Sequence, residues 1–280
     1  MEITVLGPLR VGDERRNAAP TAGKPRKVLA LLLLNHGRPV PLSALVDELW
    51  PNVRPRTALA TLHTYVLQLR KGLAQVGGLS QADVAADLLR TATSGYEFHT
   101  GGAFFDLAEY GSRSESALRA VHDGDLVTAV AELRAALALW RGPALADVEP
   151  GRLLAAEIAG LEQSRMTMLE HRIDFDLRLG RHREVLGELT ALVATHPLHE
   201  DLHAQLMLAL FRSGYRTRAL EVYQQLRGRM VESVGLEPSP RLRQVHQLVL
   251  SADDDVDRIS VVPLPRRPEA ASVPLLAGLF

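Results

Sequence analysis

The sequence predicts a mainly α chain of two domains: a small α+β amino-terminal domain over residues 1–101 and an all-α carboxy-terminal domain over residues 102–251. Three observations predict it. Short alternating apolar segments, the pattern of strands, occur only before residue 102. Beyond it, apolar residues recur at helical spacing in segment after segment, parted by Gly and Pro. The charge divides at the same place: residues 1–100 hold 12 Lys+Arg against 8 Asp+Glu, net +4, and the other 180 hold 20 against 25, net −5. At 280 residues and 46% apolar content the chain is long enough for two cores. Without cysteine it can have no disulfide or thiolate metal site.

Residues 2–12 read as two short strands, Ile3/Val5 and Leu9/Val11, parted by the turn pair Gly7-Pro8. After a loop from Asp13 to Gly23, KPRKVLALLLLNHG gives a helix with Val28, Leu29, Leu32 and Leu33 inward, ended at His36-Gly37. Pro41-Leu42-Ser43 opens a short helix that closes at Trp50-Pro51. A long third helix follows from Arg54 to Leu73, with Leu59, Leu62, Val66, Leu69 and Leu73 on one apolar stripe. Its opposite face collects Thr57, Ala60, Thr61, Thr64, Gln68 and Lys71, and no acidic residue lies between Arg54 and Leu73. Arg54 and Arg56 flank Pro55 where Pro fits a first helical turn and free N–H groups favour an anion such as phosphate. The face is suited to a DNA groove; the simpler alternative is a basic surface helix. Leu88–Thr91 and Tyr96–His99 then form strand-like pieces around Thr93-Ser94-Gly95, a hairpin placed to act as a wing.

This order of elements, with the phrases LGPLRV, KPRKVLALLLL, GRPVPLSALVDELWP, LHTYVLQLRKGL and SGYEF, resembles the winged-helix DNA-binding domains of OmpR-type response regulators and, more closely, the Streptomyces antibiotic regulatory proteins. The resemblance implies that the third helix reads the major groove and that the hairpin around Arg90 and Gly95 touches the neighbouring backbone. Where the family commonly has Ser-Arg before Leu-Arg, this chain has Leu67-Gln68.

In the helical region Gly180 and Gly214 stand 34 residues apart, and the same offset maps Leu186 to Leu220, Leu189 to Tyr223 and Leu192 to Leu226. Thirty-four is the tetratricopeptide period, in which each helix pair hides its apolar face only against its neighbours. ALALWRGPAL, RALEVYQQLR and VGLEPSPRL resemble the activation domain of the same regulators. Residues 252–280, acidic and then Pro-rich, read as a disordered tail.

Together the two regions lead us to expect a sequence-specific transcriptional activator, pathway-specific for an antibiotic gene cluster. By the resemblance, a homodimer or higher oligomer binds direct repeats in promoter DNA and recruits RNA polymerase holoenzyme. The expected DNA contacts are Arg54, Arg56 and Lys71 to phosphates, Thr57, Thr61, Thr64 and Gln68 on the groove face, and Arg90 in the wing. No cofactor and no catalysis are expected. The longest apolar run, Val28 to Leu34, is too short to span a bilayer, and the amino terminus lacks signal-peptide order, so the expected location is the cytoplasm, on the nucleoid. Two alternatives belong to other classes. One is a tetratricopeptide-like interaction scaffold without DNA binding; the other is a zinc hydrolase built on His199-Glu200-x-x-His203, with two histidines one helical turn apart and Glu200 as general base.

Overall fold

The structure, a computed structural model, describes residues 1–13 and 15–251; the expected disordered tail lies outside the described residues. The chain groups into two compact units. One comprises Met1–Arg113 with Ala135–Arg165, the other Ser114–Arg134 with the described residues from Met166 onward. The unit borders fall inside helices, because residues 104–113 and 135–165 supply partners to the amino-terminal elements.

In the first unit the chain runs β1 (Glu2–Thr4), β2 (Arg10–Gly12), α1 (Gly23–Leu34), β3 (Pro39–Pro41), α2 (Leu42–Leu49), α3 (Ala58–Gly77), α4 (Gln81–Asp83), a π turn (Val84–Leu88), β4 (Leu89–Thr91), β5 (Gly95–Phe98), β6 (Phe104–Phe105) and the start of α5 (Asp106–His122). One sheet has the order β2-β1-β6, antiparallel then parallel, with Ile3 opposite Val11 and Phe105. The other is β3-β5-β4, antiparallel throughout. Neither β3 nor β6 has the alternating apolar pattern of a strand. Prolines at 39 and 41 argue against a strand, but β3 is an edge, and Leu42 donates to Ser94 O (3.0 Å), which places the ladder donors on even-numbered residues. β6 exists only because β1, a hundred residues earlier, pairs with it; α5 starts directly after it, at Asp106.

The whole run Val28–Leu34 of α1 is buried, more than the four inward residues its spacing implied, because α1 packs against both α2 and α3. In α3 the inward row is Ala58, Leu62, Val66, Leu69 and Leu73; Leu59, expected in that row, is 41% exposed, because the residue one turn before Leu62 is Ala58.

Carboxylates hold the unit together, Asp106 and Glu48 buried and Asp147 exposed. Asp106 accepts Val5 N–H (2.9 Å) and Leu6 N–H (3.0 Å) and pairs with Arg141 (2.7 Å). Asp147 accepts Leu9 N–H (2.8 Å) and pairs with Arg26. Beyond α6 (Leu126–Leu137), the 27-residue α7 (Arg152–Arg178) starts on the Glu48 carboxylate of α2, which accepts Gly151 N–H at 2.6 Å and Leu153 N–H at 2.8 Å. An acid at a helix N-terminus both satisfies free donors and opposes the dipole. Any Cβ at Gly151 would lie 2.6 Å from that carboxylate, so this helix start requires glycine.

The second unit contains the carboxy-terminal part of α7, then α8 (His182–Thr195), α9 (Glu200–Arg212), α10 (Arg216–Val234) and α11 (Pro240–Ser251). Ile173, Leu177, Val185, Leu189, Leu202, Met207, Tyr223, Leu226, Leu242 and Val249 share one core. The 34-residue repeat is visible in the turns. Gly180 (φ 79°) donates to Leu177 O while Arg181 N–H reaches Asp176 O; Gly214 (φ 87°) donates to Phe211 O while Tyr215 N–H reaches Leu210 O. Gly124, 56 residues before Gly180 and so outside the 34-residue period, makes the same pair of bonds, to Val121 O and from Asp125 N–H to Ala120 O. Among the described residues no helix is long and apolar enough to cross a membrane.

Candidate nucleic-acid interface

The sequence placed the start of the third helix at Arg54; α3 begins at Ala58. Pro55 disfavours helical backbone at Arg54, and Ala58 N–H closes a turn on Pro55 O (3.0 Å). Arg54 and Arg56 therefore stand in the segment leading into α3, both exposed, and not in its first turn. Thr57, the residue before the helix, makes no side-chain cap. Among the described residues no side chain caps the start of α3, and the residues leading into it are cationic.

With the apolar row fixed inward, Leu59, Ala60, His63, Thr64, Leu67, Gln68, Lys71 and Gln75 of α3 are exposed, with Thr57 just before them. Thr61 is half-buried. Thr64 Oγ1 donates to Ala60 O (3.0 Å). No acidic residue lies between Glu48 and Asp83 in the sequence, and Glu48 is buried in its cap. The fold thus gathers Thr57, Thr64, Gln68 and Lys71 as expected, sets Thr61 at the margin, and adds His63 and Leu67.

The wing is tied to the helix by a residue the sequence reading passed over. Arg70 donates to Leu89 O through Nε (3.0 Å) and a terminal nitrogen (2.8 Å), reaches Thr91 Oγ1 (2.9 Å), and lies over the Tyr96 ring at 5.8 Å. One guanidinium so joins α3 to both strands of the β4-β5 hairpin, whose two-residue tip, Thr93-Ser94, is closed by Ala92 N–H to Gly95 O (2.9 Å). In sequence its position beside the inward Leu69 was the available signal. Arg90, expected to reach DNA, is exposed but turned back: its Nε donates to Ala86 O, and Asp87 lies 3.9 Å away. Replacing Arg70 by Lys, which cannot supply the planar fork, should raise hydrogen-exchange rates in residues 89–98 at least tenfold and leave those of α1 unchanged; unchanged wing exchange would remove this role from Arg70.

The histidine motif does not form the arrangement expected of it. His199 precedes α9 with extended backbone (φ −83°, ψ 97°), so the two histidines are not an i, i+4 pair within a helix. His199 Nε2 pairs with Glu170 (2.9 Å), a contact that holds its imidazole pKa above the usual value. His203 is buried, with Nδ1 on His199 O (2.9 Å), and burial lowers its pKa. Glu200 accepts Ser239 N–H at 2.7 Å. Each residue is engaged in a different structural contact, and among the described residues no three His, Cys, Asp or Glu converge on a metal-sized site.

A three-helix unit with an anchored hairpin and an outward acid-free helix, joined to a repeat-built helical unit, is the architecture of a winged-helix protein with an appended helical domain. The comparisons agree. Residues 105–250 match the bacterial transcriptional activator domain. Regulatory protein DnrI of Streptomyces peucetius is 45% identical over 275 residues, covering 98% of this chain and all of that protein. Regulatory protein AfsR of Streptomyces griseus is 36% identical over 265 residues, 95% of this chain but 26% of that longer protein. The solved structure of Mycobacterium tuberculosis EmbR in complex with low affinity phosphopeptide superposes with a TM-score of 0.83 at 29% identity, over 92% of this chain and 67% of that one. The chain belongs to the Streptomyces antibiotic regulatory protein family of transcriptional regulators.

Proposed function

We propose that the protein activates an antibiotic-biosynthesis gene cluster by binding direct repeats in promoter DNA as a homodimer or higher oligomer and by recruiting RNA polymerase holoenzyme. In this reading residues 1–101 are the DNA-binding module and residues 102–251 the activating one. The observation that carries it is the exposed, acid-free face of α3, tied to a hairpin by Arg70. Arg54, Arg56 and Lys71 neutralise phosphates, and Arg90 does so from the wing once it leaves Ala86 O. Gln68 suits bidentate pairing with an adenine edge; Thr57, Thr61 and Thr64 lie along the same groove. The acidic charge of the carboxy-terminal region keeps it from competing for the duplex.

The decisive experiment is fluorescence anisotropy of the full chain with its own upstream intergenic DNA and with a scrambled duplex, each across a salt series. Tight, sequence-dependent, salt-sensitive binding supports the reading; equal weak binding to both moves the function to the helical unit. Within that assay Gln68→Ala should cost about 1–3 kcal/mol and relax preference at one base pair, whereas Lys71→Ala should weaken all sequences alike and lower the salt slope by about one. Equal losses on specific and scrambled DNA for Gln68→Ala would refute its role.

A further inference from the structure

Leu67 has no place among the polar roles above. It is 58% exposed, while Leu62, Val66, Leu69 and Leu73 of the same helix are almost completely buried. Ala60, Thr64 and Leu67 follow one another at helical spacing, and all three are exposed. The Thr64 hydroxyl spends its proton on Ala60 O at 3.0 Å, so towards an incoming partner Thr64 offers a methyl group and an acceptor, not a donor. The result is an apolar ridge set within a polar face, with His63, Gln68 and Lys71 beside it.

The surroundings choose the occupant. Arg54 and Arg56 lead into the helix and Lys71 lies one turn beyond Leu67, no acid occurs between Glu48 and Asp83, and residues 1–100 carry net +4, which complements a polyanion and not an apolar protein surface. In the major groove the apolar group on the base edges is the thymine 5-methyl. We propose that Ala60, Thr64 and Leu67 read thymine methyl groups, with Leu67 the residue that discriminates thymine from cytosine at one position of each half-site. The inference rests on the reading of α3 as the groove helix.

The test uses the full chain and a labelled duplex of the sequence that the wild-type protein enriches from a randomised pool. Each thymine is replaced in turn by deoxyuridine, which removes the methyl and leaves pairing intact. At one position per half-site the replacement should weaken wild-type binding roughly fourfold, the scale of one buried carbon. Leu67→Ala should bind the thymine duplex more weakly by a similar factor and show no further loss with deoxyuridine there. Leu67→Met, which keeps an apolar chain, should retain the sensitivity and controls for folding. Deoxyuridine tolerated at every position, or an undiminished deoxyuridine penalty in Leu67→Ala, would overturn the proposal while leaving sequence-specific binding intact. Failure to enrich any sequence would overturn it together with the underlying reading.

Discussion

Asp176→Ala is expected to destabilise the protein by about 3–5 kcal/mol, the cost of removing one partner from a buried ionic network. Asp176 is fully buried, and three guanidinium groups converge on it: Arg134 (2.9 Å), Arg172 (3.3 Å) and Arg181 (3.0 Å). Arg172 is itself only 6% exposed and keeps a single further partner, Glu188, so the variant leaves excess positive charge in a region of low dielectric. The same aspartate lies at the turn where Gly180 reverses the chain. Arg134→Ala supplies the contrast. That side chain is 49% exposed, and its loss should cost less than about 1 kcal/mol and less still at high salt. Urea unfolding of the full-length variants, followed by far-UV circular dichroism, measures both. An Asp176→Ala loss no larger than that of Arg134→Ala would show that the network contributes little.

The second large effect depends on pH. Burial pushes the Glu157 carboxyl up to about 7 from 4.5, against a hydrogen bond from Asn35 (3.0 Å) and with the Glu48 carboxylate adding to the rise. Because the folded-state value is raised, folded protein holds this proton over the interval in which unfolded chain releases it. The stabilisation is therefore complete below pH 4.5 and is lost as pH rises to about 7. At about 1.4 kcal/mol per pH unit the loss is on the order of 3 kcal/mol. Glu157→Gln, neutral at every pH, should be the more stable protein above about pH 7 and should flatten this part of the profile. Denaturation midpoints measured across the interval give the result. A wild-type profile unchanged by the substitution would mean that Glu157 is solvated as a carboxylate.

The roles of the buried carboxylates were not legible in the sequence. Glu48 sits in DELWP, a phrase that reads as the polar end of a short amphipathic helix, and its hydrogen-bond acceptors' partners lie more than a hundred residues away at Gly151 and Leu153. Asp106 is similar: local sequence makes it a first-turn acid, and the fold makes it a clasp for Val5, Leu6 and Arg141. Periodicity registers which side chains avoid water, and a buried carboxylate looks the same to it as an exposed one. The lead into α3 failed for a local reason. Pro55 is compatible with a helix start, but the turn onto Ala58 moved Arg54 and Arg56 ahead of the helix and exchanged Leu59 for Ala58 in the inward row.

Elements with a strong local period were determined by the sequence alone: α1, α2, the body of α3, the β4-β5 hairpin, and the repeat whose Gly180 and Gly214 require left-handed backbone. The identity of the outward face of α3, with Thr64, Gln68 and Lys71 on it, follows from that same period once the apolar row is inward. What only the tertiary structure decided is every feature that needs a distant partner. β3 and β6 are strands because β5 and β1 accept them, Arg70 is a wing anchor because Leu89 and Tyr96 lie beside it, and His199 is spent on Glu170. The physical reason is that helical period and turn chemistry are written within a few neighbouring residues, whereas the partner of a buried charge or a single strand is settled only by the packing that brings remote segments together.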